Sequence, residues 1–277
     1  MTPTLGTGPA AHGSAQRKSS LPPKGALAAR GGPSPLTPHK TVAVLAYPRI
    51  SNLDEFQPLK NVPGIRLQWV RSPQQLAGLD ADDWVVLPGS KATAADLDWL
   101  RTQGLDVAVQ MHAARGGVVL GICGGLQMLG QSLEDPHGID GAAQGLGLLP
   151  LVTEFVRDKT VQSTQTRFLP AAGTTGPWVR LAGVAVSGYE IHHGQTRAVA
   201  GAATHAVPAL PDGLGWCSAD GRVLGLYLHG LLEDPAVLQA LFGAAVPTLD
   251  SVFERMADYV GQHFEAGVLD ALAGERT

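Results

Sequence analysis

The sequence predicts an α/β fold: a doubly wound, mostly parallel sheet with helices on both faces. Three observations carry this prediction. Short apolar runs alternate with segments of helical periodicity, the pattern of parallel strands and their crossovers. Two of those runs break off abruptly into turns, at Pro88-Gly89-Ser90 and Cys123-Gly124-Gly125. The 277 residues, 44% hydrophobic and 16% charged, hold enough apolar material for one large core. No apolar run reaches the roughly 18 residues of a membrane helix, and a net charge of −4 gives a nucleic-acid partner no support. Cys123 and Cys217, the two cysteines, cannot form a disulfide framework or a four-ligand zinc site, so no metal and a reducing cytoplasm are expected.

Residues 1–40 carry five basic groups (Arg17, Lys18, Lys24, Arg30, Lys40), seven of the 20 prolines and no acidic residue. Such a Pro/Gly/Ala-rich stretch cannot offset the entropy of ordering it. It also lacks the apolar h-region of a secretory leader. The expectation is a disordered basic tail over 1–39 and a single domain over 40–277. Strands are expected at 41–46, 65–70, 84–87 and 118–122. The first, third and fourth are continuous apolar runs, as buried parallel strands should be. Helices are expected from Thr93 through Leu100, from Val107 to Ala114, and over Leu126 to Leu129. The second half reads as richer in strand, at 148–155, 179–186 and 223–228. Two helices should close it, at 235–242 and 249–272. The last carries Val252, Phe253, Met256, Val260, Phe264, Val268 and Leu272 at helical spacing and reads as a packing helix.

Chemistry concentrates at Gly121-Ile122-Cys123-Gly124-Gly125-Leu126-Gln127. A cysteine at the tip of a buried strand, flanked by glycines and opening a helix, sits in a tight elbow that exposes its side chain above the sheet. The helix N-terminus favours the thiolate there, and Gly124 lets its N–H approach a developing oxyanion. Cys217 occupies no comparable turn and reads as structural. The nucleophile needs a base, and nine histidines are available. His12 and His39 lie in the tail, His137 and His205 in loops, and His112 and His263 on helices, as surface residues. His229 ends the apolar run Leu224 to Leu228, and the carboxyl ends of strands line the crevice of a doubly wound sheet. It is the expected partner of Cys123, with His192 and His193 as the next pair.

The stretch Gly121 to Gly130 resembles the nucleophile motif of class I, triad-type glutamine amidotransferases, and more narrowly the cobyric acid synthase and cobyrinate diamide synthase branch. Leu87 to Thr93, Gly188-Tyr189-Glu190-Ile191-His192-His193-Gly194 and Tyr227-Leu228-His229-Gly230 carry the same resemblance. So do Tyr47 to Asn52, Asp135-Pro136 and Gly145 to Pro150, so that it runs from about residue 40 to the C-terminus. The resemblance implies a flavodoxin-like sheet and glutaminase chemistry. Cys123 would attack the glutamine carboxamide, and His229 would protonate departing ammonia and activate water. Gly89 and Gly124 would supply oxyanion N–H groups, with Gly89 in a mobile loop free to flip its peptide. Gln127 would help hold glutamine. Where many relatives have Glu two residues past the histidine, this chain has Leu231. Glu190 is a candidate orienting carboxylate, with a structural role as its alternative. Leu126 stands where the branch has Tyr, and His193 where it has an apolar residue.

The chain has no Gly-x-x-x-x-Gly-Lys-Ser/Thr loop. The resemblance therefore places ATP and Mg2+ on a synthetase half or partner subunit, and leaves this chain to bind L-glutamine without a cofactor of its own. Through that partner it would serve a corrinoid acid, amidating peripheral carboxylates of adenosylcobyrinic acid a,c-diamide. A glutaminase subunit of a lipid II isoglutaminyl synthase-type ligase is the alternative, and a catalytically dead scaffold is the third reading.

Overall fold

β1 (Lys40–Leu45) forms because its apolar residues bury both faces, which is what a central parallel strand requires. It is the first element of a computed structural model that describes residues 40–170, 175–201, 205–244, 249–264 and 267–268, all within one unit, Leu36–Thr277. The expected tail over 1–39 lies outside the described residues. After β1 come the two-residue β2 (Ile50–Ser51), a 3-10 segment Leu53–Asn61, β3 (Ile65–Val70), β4 (Trp84–Leu87) and β5 (Gly89–Ser90). Then follow α1 (Thr93–Thr102), α2 (Leu105–Ala114), β6 (Val118–Ile122) and α3 (Gly124–Leu129). The second half holds β7 (Ser132–Glu134), β8 (Ala143–Gln144), β9 (Leu151–Arg167), β10 (Ala185–Ala198), β11 (Ala206–Leu210), β12 (Gly215–Ser218), β13 (Val223–Leu226), α4 (Pro235–Phe242) and α5 (Leu249–His263).

The main sheet has the order β11-β12-β13-β6-β4-β1-β3. β13, β6, β4, β1 and β3 run parallel, and β12 and β11 add antiparallel at one edge. The expected fold class is observed. Its core is continuous across the sheet, and Trp84 packs on Trp178 at 4.6 Å and on Phe242 at 5.1 Å between ring centroids. A second sheet, β10-β9-β7-β8, is dominated by the long antiparallel pair β9/β10.

Four expectations are corrected. The strand expected at 148–155 is the start of the 17-residue β9. The one expected at 179–186 is a 3-10 turn over Pro177–Leu181, and strand begins only at Ala185, because Pro177 starts a helical turn well. His112 is buried rather than at the surface: its Nε2 lies 3.1 Å from the Asp83 carbonyl, and Gly117 leaves the ring its space. Burial lowers the proton affinity of that ring, against hydrogen bonds that raise it. Last, α5 does not pack as expected, since Phe253 and Met256 are each 57% exposed. The continuation of that helix towards residue 272 lies outside the described residues, apart from Gly267 and Val268.

Candidate active site

The order β13-β6-β4-β1 sets the carboxyl ends of four neighbouring strands side by side. Each end delivers one part of a cluster. β6 delivers Cys123, whose backbone lies at φ 51°, a strained conformation for a non-glycine residue and the mark of a strand-to-helix elbow. Close packing enforces the turn. A Cβ on Gly125 would fall 1.9 Å from the Leu87 carbonyl oxygen, and one on Gly124 would fall 2.8 Å from the Ser90 nitrogen. α3, which the elbow opens, is only six residues long.

β13 delivers the second side chain. His229 follows that strand, is buried, and lies close enough to Cys123 for the two side chains to interact. Its ring stacks on Tyr189 of β10 at 5.1 Å and 17°. Its main chain bridges to the same residue, through His229 N–H to Tyr189 O at 2.9 Å and Tyr189 N–H to His229 O at 3.3 Å. Burial alone would lower the pKa of this imidazole. The close pairing with Cys123 and then with Glu55 outweighs it and pushes the value up to about 10.

Glu55 was not singled out in the sequence. It is fully buried on the 3-10 segment Leu53–Asn61, and its Oε2 lies 3.4 Å from His229 Nδ1. With Nδ1 turned towards Glu55, Nε2 is the nitrogen left to face the thiol. The motif from Tyr47 to Asn52 stops three residues short of Glu55. No strand end or motif in the sequence marks it, because it reaches His229 only through the packing of the Leu53–Asn61 segment.

Gly89 lies beside the ring, where a Cβ would come 2.7 Å from His229 Cε1 and 2.2 Å from Ser51 Oγ. The expected mobile loop is not observed. Gly89 and Ser90 form β5, paired antiparallel with Ser51 and Ile50 of β2. Lys91 N–H bonds Arg49 O at 2.9 Å, and Ser90 Oγ donates to the buried Asp96 at 2.6 Å, which pins the segment further. Tyr47 donates its hydroxyl proton to the Pro88 carbonyl.

β9 and β10 roof the cluster. A cavity of about 600 Å³ opens between them and the strand ends, lined among others by Cys123, His229, Gln127, Ser90, Lys91 and Lys159. Gln127 is buried and held at both ends of its amide, by Thr93 Oγ1 at 3.0 Å and the Tyr227 hydroxyl at 3.4 Å. The glycines of the 188–194 motif let β10 cross this close. A Cβ on Gly188 would strike the His229 carbonyl oxygen at 2.1 Å, and one on Gly194 would strike Gln127 Nε2 at 2.3 Å. Between them, the Ile191 carbonyl lies 3.6 Å from Cys123 Sγ.

Cys123, His229 and Gln127 thus come together, with Gly89 and Gly124 immediately behind them. Glu190 does not join them. Its carboxylate turns away from His229, accepts from Gln162 at 2.9 Å and from the Thr164 hydroxyl, and lies 3.3 Å from His192 Nε2. Burial would raise its pKa, but those hydrogen bonds hold it below the usual glutamate value. His192 lines the cavity from Glu190's side and stacks on Tyr227 at 3.8 Å, while His193 Nδ1 lies 3.1 Å from the Val156 carbonyl. Cys217 is buried in β12, and burial pushes its thiol up to about 12. Among the described residues, no group of three or more His, Cys, Asp or Glu side chains is disposed to hold a metal ion. No described helix is long and apolar enough to cross a membrane.

Comparison with known proteins places the chain in a family. Residues 41–237 match the CobB/CobQ-like glutamine amidotransferase domain family. The chain is 69% identical over 236 residues to the cobyric acid synthase of Polaromonas naphthalenivorans (strain CJ2), covering 84% of this chain and 48% of that protein. It is 62% identical over 277 residues to the cobyric acid synthase of Polaromonas sp. (strain JS666 / ATCC BAA-500), covering 98% of this chain and 51% of that one. The chain therefore spans about half the length of the curated relatives it matches. Among solved structures, PurLQS from Thermotoga maritima superposes with a TM-score of 0.52 at 16% identity, over 80% of this chain and 99% of that one. A crystal structure of a glutamine amidotransferase gives a TM-score of 0.51 at 21% identity, over 73% of this chain and 99% of that one. Both likenesses are of fold.

Proposed function

The chain belongs to the CobB/CobQ-like glutamine amidotransferase domain family, and we propose that it is the glutamine-hydrolysing part of a cobyric acid synthase. The observation that carries the proposal is the buried Cys123–His229 pair, set at adjacent strand ends beneath a cavity with ample room for glutamine. Glutamine enters that cavity, where Lys91 and Lys159 offer charge to its α-carboxylate and Asp140 to its α-ammonium. The Cys123 thiolate attacks the carboxamide carbon, and the oxygen that gains charge is met by backbone N–H groups at Gly124 and Gly89. His229, cationic at the start, gives its proton to the departing nitrogen, so ammonia leaves and a glutamyl thioester remains. The neutral ring then takes a proton from water, hydroxide attacks the thioester, and glutamate and the Cys123–His229 ion pair are regenerated.

None of these steps calls on a cofactor. ATP and Mg2+ belong to the activation of the acceptor carboxylate, which falls to the portion of the relatives that this chain does not span. That portion, on the same polypeptide or a separate one, would present peripheral carboxylates of adenosylcobyrinic acid a,c-diamide to the ammonia. A reducing cytoplasm suits an enzyme that works through a free thiol. The lipid II isoglutaminyl synthase-type alternative is not favoured, since the relatives at 69% and 62% identity are cobyric acid synthases. The test is glutamate release. Cys123→Ser should abolish it, and His229→Ala should cost at least about 10²-fold in turnover. Undiminished release from Cys123→Ser would overturn the assignment.

A further inference from the structure

From the packing around His229 we infer that Glu55 is its positioning residue, a third group supplied by the segment after β1 in place of the carboxylate missing at position 231. The inference deepens the proposed glutaminase chemistry and rests on it. At position 231 stands a fully buried leucine, in the 3-10 turn Leu231–Glu233 that packs against Leu53–Asn61. The exchange is reciprocal. Position 231 is apolar, and the segment packed against it carries the buried acid.

The surroundings of Glu55 give that acid one purpose. Its side chain is fully buried, and a buried carboxylate is costly unless a cation and hydrogen bonds compensate it. Among the described residues its ion-pair partner is His229, at 3.4 Å, and its Oε2 also accepts from the Gly230 N–H at 3.3 Å. The carboxylate thus grips the residue after the histidine as well as the ring. The contact stops short of a formed hydrogen bond: His229 Nδ1 and Glu55 Oε1 are both buried without a hydrogen-bond partner. A donor and an acceptor in this state need only a small closure to satisfy each other, and catalytic hydrogen bonds commonly tighten on substrate binding. A proton fixed on Nδ1 leaves Nε2 to exchange protons with the thiol and the leaving nitrogen.

The ionisable groups facing His229 are Cys123 from the elbow, Glu55 from the 3-10 segment and Tyr189 from β10. Tyr47, from the end of β1, faces both Cys123 and Glu55. Of these, Glu55 and Cys123 are the two whose charge raises the ring. The test is an imidazole NMR titration of His229 in the full chain, with glutamine turnover measured beside it. In Glu55→Gln, which keeps the shape and loses the charge, the His229 midpoint should fall by about one pH unit or more. Its kcat should fall about tenfold or more with little change in KM, while Glu55→Asp should recover part of both. Glu190→Gln, which alters the other carboxylate, should leave the His229 midpoint where it is. An unmoved midpoint in Glu55→Gln, or a midpoint moved equally by Glu190→Gln, would overturn the inference. Failure of the underlying glutaminase assignment is distinguishable, because it would appear in the unaltered chain as an absence of glutamate release.

Discussion

At residue scale the site rests on one histidine held cationic inside the protein. The ordinary imidazole value is 6.5 and that of His229 is about 10, so the folded chain binds this proton more tightly than the unfolded one. The stabilisation from His229 is therefore complete below 6.5 and is lost progressively as pH climbs through about 10. Thermal melts across that window should show a falling Tm in the unaltered chain and a flatter profile in His229→Gln. A parallel decline in both would contradict the raised value. The proposed catalytic pair, Cys123 and His229, was legible in the sequence because each ends an apolar strand, and strand ends converge in this fold. Glu55 was not, because it lies off any strand end, on a 3-10 segment whose path only tertiary packing fixes. Glu190 was misleading for the opposite reason: it sits in a motif that does meet His229, but through Tyr189, one residue earlier.

At element scale, glycines decide how closely the pieces approach. Gly89 is the sharpest case, since the His229 ring occupies the space a Cβ would need. Gly89→Ala should displace the ring or Ser51, and a misplacement of about 1 Å is worth roughly 10²-fold in turnover. Gly78→Ala, where nothing lies within 4 Å of the added Cβ, should leave turnover and Tm unchanged. If the two variants behave alike, crowding at His229 is not what keeps position 89 small. The parallel strands and their helices could be read from apolar runs because both faces of each strand are buried. β9 and β10 were harder. Past its buried start, β9 is mostly exposed or half-buried, and the buried positions in the middle of β10 are Glu190 and Gly194, so neither strand carries an apolar run there and only the start of β9 was visible. β11, the edge strand, and β12 beside it are only five and four residues long, and their Pro and Gly content hides them.

At the scale of the whole molecule, ammonia released with no acceptor waiting is lost, so the competent site should assemble only beside a loaded synthetase. The pairing of β2 with β5 gives this coupling a mechanical form. Gly89 is engaged with Ser51, and repositioning its peptide towards the oxyanion requires that small sheet to yield. A missing donor costs roughly 3–4 kcal/mol of transition-state stabilisation. Alone, the chain should be a slow glutaminase that binds no nucleotide. Its rate should rise when the synthetase half of a cobyric acid synthase, ATP and the corrinoid acid are added. A rate indifferent to those additions would remove the case for coupling through β5.

The claim beneath all of this is that Cys123 carries the glutamyl group, and it can be observed without reference to rate. The chain should be mixed with glutamine, quenched in acid within the turnover time, digested and read by mass spectrometry. A glutamyl thioester should appear on the peptide containing Cys123 and none on the peptide containing Cys217, and it should accumulate in any variant that slows deacylation more than attack. Glutamate formed with no adduct on Cys123, or an adduct on Cys217 instead, would contradict the assignment.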